Sequence, residues 1–419
     1  MSLFKRIFGQ KTAPVEPSPE KPAPAVFHPA SPEFIADPYP FLQALRESAP
    51  LLRSDSGPWV LTRLNDITAA LSDKRLSNAP ASYAIINGKN RERYTCADVA
   101  NNLIAFMDPP DHTAARKLLA RAFHQYMREG LPDLNAIAAS IAQELPHNEP
   151  FDLIERFATP FSLEVILQIF GLPSADADKL KAWTDHFFYL FTQIPSVEIR
   201  EAVDRTLVEF RAYFDAEIAA RKSTPGSDFL SLLVQANEAA GEAAITDREL
   251  VDNCLLIFAD GIENVDSGIA NAVVCLLKHG NAWSQLSQDA AEIGPAVDEC
   301  LRFESPAQFI GRVALEDFEL HGQTIRQGNA ILLVLASANR DAERFPEPNR
   351  FDIQRSPNPY LSFGRGKHSC LGGSLVKLQM EASLQALVQA APNLTICDAT
   401  LDWQYRLGHR WLKSLTVRQ

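Results

Sequence analysis

One cysteine lies in a glycine-rich, basic turn directly before a stretch that favours a helix. Residues 363–372 read Phe-Gly-Arg-Gly-Lys-His-Ser-Cys-Leu-Gly, which places Cys370 just ahead of a helix predicted over 374–391. A helix N-terminus and nearby cations lower the pKa of a thiol, and the thiolate is the form that binds metal. Glycines such as Gly364 let the backbone approach something flat and bulky without Cβ clashes. The turn therefore predicts a metal-bound thiolate.

A zinc site built from cysteine and histidine is the competing interpretation of this turn. His368 and Cys370 are two residues apart, and no second pair of such residues lies near them in the sequence. Structural zinc normally takes four ligands supplied by two clusters. The spacing therefore disfavours zinc.

Two further pairs have the spacing of neighbours on one helix face. His112 and Arg116 are four residues apart in a predicted basic helix, and both can make charge-assisted hydrogen bonds to carboxylates. Glu299 and Arg302 are three apart and can form an ion pair. Taken alone, an exposed polar helix explains the first pair as well, and the second is common in helices.

The fourth motif interrupts the apolar run of a long predicted helix. Leu-Leu-Ile-Phe-Ala, ending at Ala259, is followed by Asp-Gly-Ile-Glu-Asn, which includes Gly261, Glu263 and Asn264. Acidic residues and a glycine are locally unfavourable inside an apolar helix. Such conflicts often mark functional sites.

Composition limits the class of protein. The chain has 419 residues, a net charge of −12 and 46% hydrophobic residues, so it can bury a sizeable core. The acidic balance disfavours nucleic-acid binding, and the lack of a run of about 20 apolar residues excludes an integral membrane segment. Six scattered cysteines without CxxC spacing fit a reducing compartment, so we expect a cytoplasmic protein.

The elements that must position these motifs are mostly helical. Nine prolines between residues 10 and 40 predict a mobile leader over 1–37, ahead of one folded domain over 38–419. Predicted helices then dominate, the longest over 247–279, and the strand patterns are short. Because no strand–helix alternation is sustained, a doubly wound sheet is disfavoured. We expect a single large, mainly α domain with a small β region.

Together, in this order and spacing, the motifs resemble those of the cytochrome P450 family over about residues 38–419. The Cys370 turn is similar to the family's heme-binding loop. The resemblance implies the cytochrome P450 fold and heme b, iron protoporphyrin IX, with Cys370 as the axial ligand of the iron. It also implies that Phe363 shields the thiolate, and that Arg350 locks the Glu299–Arg302 pair as a structural brace.

The same resemblance assigns the remaining candidates. Contacts to the heme propionates are implied for His112, Arg116, Arg312 and His368. Contacts to substrate are implied for Phe309, Ile310, Phe187 and Ala259.

The implied activity is that of a monooxygenase, which inserts one atom of O2 into a small apolar or aromatic substrate. Electrons would come from a separate ferredoxin or flavodoxin-type donor and its NAD(P)H reductase, because the chain has no flavin or iron–sulfur segment. Gly261 would make room for dioxygen, and Glu263 would feed a proton relay.

Asn264 departs from the family pattern, which usually has threonine at this position. An amide relays protons poorly compared with a hydroxyl. Two alternatives therefore stay open: an oxidative-coupling or peroxide-using variant of the same scaffold, and a heme protein that only binds a ligand.

Overall fold

Helices account for most of residues 26–54 and 56–419, the part of the chain that this computed structural model describes. The helices are α1 Pro32–Ala36, α2 Tyr39–Ser48, α3 Leu64–Ala70, α4 Thr95–Ala100, α5 Asp111–Glu129, α6 Leu134–Gln143, α7 Thr159–Phe170, α8 Ala177–Phe187, α9 Val197–Ser223, α10 Phe229–Glu238, α11 Asp247–Lys278, α12 Ala282–Gln288, α13 Ile293–Phe303, α14 Leu335–Ala338 and α15 Gly373–Ala390. The strands are β1 Leu51–Arg53, β2 Trp59–Leu61, β3 Leu76–Ser77, β4 Phe151–Asp152, β5 Ile310–Ala314, β6 Phe318–Leu320, β7 Gln323–Ile325, β8 Ala330–Leu333, β9 Thr395–Ile396 and β10 Thr416–Arg418.

The long helix α11 forms the centre of the molecule. Its start is set by a capping box, in which Thr246 and Glu249 satisfy each other's backbone N–H groups. Nearly every position from Leu250 to Leu276 is buried, because α7, α8, α9, α13 and α15 all pack on it. The predicted helix over 247–279 is thus confirmed. Within the described chain, neither this helix nor any other is long and apolar enough to cross a membrane.

The β structure is small and lies mainly in one five-stranded sheet of order β1-β2-β8-β5-β3. Strands β2 and β8 run parallel, while the other neighbours are antiparallel. Successive side chains of a strand point to opposite faces, so Ile310 and Arg312 of β5 share a face and Phe309 lies on the other. With a three-stranded and a two-stranded sheet beside it, this confirms the mainly α fold with a small β region.

The folded part begins earlier than the sequence predicts. Phe27 is only 1% exposed and packs against Phe34 of α1, and Arg410 donates to the carbonyl oxygen of Ala36 at 3.0 Å. The leader predicted over 1–37 is therefore too long at its C-terminal end. Proline spacing misled the prediction, because Pro32 starts a helix at the first position, where its missing N–H costs nothing. Residues 1–25 lie outside the described residues.

Candidate functional site

The cysteine loop is held in shape by backbone hydrogen bonds and two left-handed glycines. The N–H of Cys370 donates to the carbonyl oxygen of Phe363 at 2.8 Å, and that of Gly364 donates to Leu361 at 2.8 Å. Gly364 has φ +64° and Gly366 has φ +77°, a region that side chains with a Cβ rarely adopt. The loop therefore folds back on itself and presents Cys370 just before α15.

The Cys370 thiol has two opposing influences on its pKa. Burial raises the pKa to about 11, and the charge of Asp260 adds to that effect. The backbone N–H groups of Gly372 and Gly373, at the start of α15, and the Arg116 guanidinium act in the opposite direction. The helix terminus and the cation thus favour the thiolate as predicted, but burial outweighs them. Holding the thiolate here takes a further positive charge such as a metal ion.

Phe363 lies beside this cysteine at the start of α15. A Cβ built on Gly373 would lie 3.4 Å from the Phe363 ring, so the ring packs directly on the first residue of α15. The ring is half-buried.

Cys370 and Asp260 face each other across an internal slot. Both lie deep enough for burial to raise their pKa values, yet each side chain keeps accessible surface. On α11, Ile257 and Asn264 also keep surface while Phe258, between them, is fully buried. Because these positions are three and four residues apart, they form one helix face that looks into the slot.

Four cationic or donor side chains converge at one edge of the slot. His112 of α5 stacks on His368 with ring centroids 3.8 Å apart, and neither ring nitrogen of the buried His112 has a hydrogen-bond partner in the described part of the chain. Arg312 of β5 is 5% exposed and donates only to its neighbour's carbonyl oxygen, while Arg116 has no ion pair among the described residues. The structure brings together the four residues predicted to form this group, which we call the cation clamp.

The cation clamp has the electrostatics of a site for anions. Burial lowers the pKa of Arg312 to about 10 and that of His368 to about 3, and the positive neighbours of His368 lower it further. Asp108 is the acid that opposes this effect at His112 and Arg312, and its carboxylate already accepts hydrogen bonds from Ser77 and Asn78. Two carboxylates of a cofactor would satisfy the unpaired donors, so these residues fit the propionates of a heme.

Removing the Arg312 side chain tests this assignment. A charge-assisted hydrogen bond contributes about 1.5–3 kcal/mol, so Arg312→Ala should speed heme transfer to an acceptor protein by roughly 10- to 100-fold. In heme-free protein the same change should not destabilise the fold, because it removes a buried, unpaired charge. Arg128→Ala, an exposed arginine of the same α5, is the matched control. Equal heme loss from the two variants would contradict the clamp.

The α11 residues that were predicted to handle oxygen and protons do not point in the same direction. A Cβ built on Gly261 would point at α7 and lie 2.6 Å from Ile166, so the glycine permits close helix packing in an unbroken helix, and its backbone keeps some surface beside Asp260. Glu263 turns away from the slot and pairs with Lys181 at 2.9 Å and with Thr184 at 2.5 Å. The acid that faces the slot is Asp260, which the prediction passed over.

A second acid extends the network around Glu263. Asp266 accepts a hydrogen bond from Thr159 at 2.8 Å, and burial, with the charge of Glu263, raises its pKa to about 7. Although burial opposes it, the charges of Glu263, Asp185 and Asp266 raise the pKa of Lys181. This network lies between α7, α8 and α11, on the side of α11 that does not face Cys370.

Of the four predicted substrate contacts, only Ile310 keeps a place near the slot, on the Arg312 face of β5. Phe309, on the opposite face, packs against Phe27 with ring centroids 5.9 Å apart. Phe187 and Ala259 are fully buried, Phe187 among other aromatic rings, so both belong to the core. The structure therefore places these three side chains away from the slot, because sequence adjacency to a motif does not set side-chain direction.

The brace is present with a different third arginine. Arg302 makes a two-pronged contact with Glu299, with both N–O distances 2.7 Å and both side chains fully buried. Arg355, not Arg350, completes it, with its Nε 3.2 Å from Glu299. The carbonyl oxygen of Arg350 points inward and accepts from the other two arginines, which sends its own side chain to the surface beside Glu347.

The chain is similar to proteins of one family in sequence and in structure. A family model described as cytochrome P450 matches residues 293–390. The "Biotin biosynthesis cytochrome P450" of Bacillus subtilis is 34% identical over 93% of this chain and 98% of that protein. The "Vitamin D(3) 25-hydroxylase" of Pseudonocardia autotrophica is 32% identical over 89% and 91%. A crystal structure of P450BioI with hexadec-9Z-enoic acid ligated acyl carrier protein matches with a TM-score of 0.84 and 32% identity, over 93% of this chain and all of that one.

Proposed function

This chain belongs to the cytochrome P450 family and is a heme-dependent monooxygenase, and we propose that Cys370 is the thiolate ligand of its heme iron. The slot between Cys370 and Asp260 carries this proposal, because it joins a lone thiol, a glycine loop and an unpaired cation clamp. A thiolate-ligated heme activates O2 with two electrons, so that one oxygen atom enters the substrate and the other leaves as water.

The residues of the chain bind and orient the cofactor in this proposal. The cation clamp of His112, Arg116, Arg312 and His368 neutralises the two propionates, and the loop fixes the position of the Cys370 sulfur. Gly364 keeps the loop backbone tight, and Phe363 limits the access of water to the sulfur. Preorganised charges of this kind act strongly because two members of the clamp, His112 and Arg312, are buried.

Electrons would reach the heme from a separate acidic protein that docks beside the cysteine loop. Lys117 and Arg121 of α5 and Arg365 and Lys367 of the loop are exposed, and none has an ion pair among the described residues. Such a positive patch on a chain with net charge −12 would steer an acidic carrier to this side. A ferredoxin or flavodoxin-type donor, with its NAD(P)H reductase, has the required chemistry.

The substrate would be a small apolar molecule. The α11 face that looks into the slot carries Ile257 beside Asp260, and Ile310 shares the strand face of Arg312. Of the similar proteins described above, one is named as a vitamin D3 hydroxylase, and P450BioI forms a complex with an acyl carrier protein that carries a hexadecenoic acid. Apolar ligands gain free energy by leaving water for such a pocket.

Reconstitution tests this activity. The holoenzyme, a surrogate ferredoxin and its reductase are combined with apolar compounds first selected by the spin-state shift of the heme absorption band. We expect one atom of ¹⁸O2 to appear in the product. Dimerised product without ¹⁸O would instead support oxidative coupling. Turnover only with added hydrogen peroxide would support the peroxide-using variant.

A further inference from the structure

Asp260 is the acid of α11 that faces Cys370 across the slot, and its chemistry has no role in the scheme above. The other two acids on this stretch of the helix are engaged elsewhere, Glu263 with Lys181 and Thr184, and Asp266 with Thr159. Asp260 has no ion pair among the described residues. Its hydrogen-bond partner is the Asn264 amide, at 3.1 Å from Nδ2 to Oδ1.

An unpaired carboxyl group in an enclosed slot is expensive to keep charged. Burial accordingly raises the pKa of Asp260 to about 6, and the Asn264 hydrogen bond pulls it back toward its usual range. A carboxyl group with such a pKa can hold a proton and also release it near neutral pH, which is what a general acid requires.

We propose that Asp260 is the proton donor on the side of the heme opposite Cys370, with Asn264 as its positioning residue. This inference rests on the monooxygenase function stated above. The reaction consumes two electrons and two protons for each oxygen atom that leaves as water. Asp260 gives one of these protons to the leaving oxygen and becomes a carboxylate, which regains a proton from solvent.

Asn264 supports this transfer without passing the proton itself. Its Nδ2–H donates to Oδ1 of Asp260, which stabilises the carboxylate formed and leaves Oδ2 without a hydrogen bond among the described residues. An amide has no proton that it releases readily. Asp260 therefore supplies the exchangeable proton that a threonine hydroxyl at position 264 would otherwise relay.

The charged groups around α11 leave the protonation of Asp260 to its burial and its hydrogen bond with Asn264. Across the slot these are Cys370 in the loop and Arg116 of α5, which acts on that thiol. On the other side of α11, Lys181 of α8 is held by Glu263 and Asp266. None of them forms an ion pair with Asp260 within the described chain, so its protonation follows its burial and the Asn264 bond.

Replacing Asp260 with asparagine is the test with the sharpest readout. Asp260→Asn keeps the shape but has no acidic proton, so product formed per NAD(P)H should fall about 100-fold or more, with a larger solvent isotope effect. Asp260→Glu should restore part of the yield. Asp247→Asn makes the same change at an exposed position of α11 and should leave the yield unchanged. In the wild type, the yield should fall as pH rises above about 6 because the donor loses its proton.

A second readout needs no turnover. Infrared difference spectra of the substrate-free holoenzyme should show a protonated carboxyl band that titrates between pH 5 and 8, remains in Asp266→Asn and is missing in Asp260→Asn. If Asp260→Asn does not fold, Asp260→Glu takes its place, because the band should then change frequency. The proposal would be overturned if the band is absent from the wild type. It would also be overturned if Asp260→Asn keeps the wild-type yield and only its KM rises. Loss of the thiolate spectrum from the wild type would instead overturn the assignment of Cys370.

Discussion

Cys370→Ala is expected to abolish the thiolate-type absorption of the reduced, carbon-monoxide-bound protein and to eliminate substrate turnover. No second thiol lies in the slot to replace Cys370, since the other five cysteines, all among the described residues, are either buried elsewhere or, like Cys397, at the surface. Losing an outer-shell partner of a metal ligand costs about 10- to 100-fold, so losing the ligand itself should exceed about 100-fold.

Control variants distinguish the loss of the iron ligand in Cys370→Ala from a loss of folding. Cys397→Ala removes an exposed cysteine outside the slot and should leave the spectrum and the turnover unchanged. Cys370→Ser keeps the size of the side chain, so it reports the loss of sulfur alone. Retention of the thiolate-type band in Cys370→Ala would show that another residue binds the iron.

Loss of Glu299 is the second change with a large expected effect, on stability rather than chemistry. Its carboxylate is fully buried and accepts from Arg302 and Arg355, from the Asn358 side chain and from the backbone N–H of Asp352. Glu299→Ala leaves two arginines buried without a counter-charge, which destabilises a fold by about 3–5 kcal/mol. Total stabilities are about 5–15 kcal/mol, so much of the protein should purify unfolded or without heme.

Arg355 and Arg350 provide a matched pair of variants for this prediction, because one binds Glu299 and the other does not. Arg355→Ala removes a side chain that is 9% exposed and bound to Glu299, and should cost about 1.5–3 kcal/mol, as for a hydrogen bond to a charged group. Arg350→Ala removes one that is 61% exposed, and should cost at most about 1 kcal/mol. Urea unfolding of both variants measures the difference. A larger effect at Arg350 than at Arg355 would contradict the brace described above.

Sequence reasoning succeeded where a motif's own spacing sets its geometry. The Cys370 turn, the His112–Arg116 pair and the Glu299–Arg302 pair depend on neighbours within four residues, and local backbone rules place such neighbours together. The long apolar pattern also predicted α11, because a helix buried on all sides must be apolar around its whole circumference. Family, cofactor and fold class followed from these features.

Side-chain direction over longer distances was decided only by the tertiary structure. Arg350 and Arg355 are both plausible partners in the sequence, and the inward carbonyl oxygen of Arg350 selects Arg355. Glu263 and Asp260 are both acids of one helix turn, but α8 supplies Lys181 to the first and leaves the second facing Cys370. Which side of a helix faces a site depends on the elements that pack against the helix. The sequence alone therefore identified the family, its heme and the thiol predicted to hold it, while packing determined which acid lies opposite that thiol.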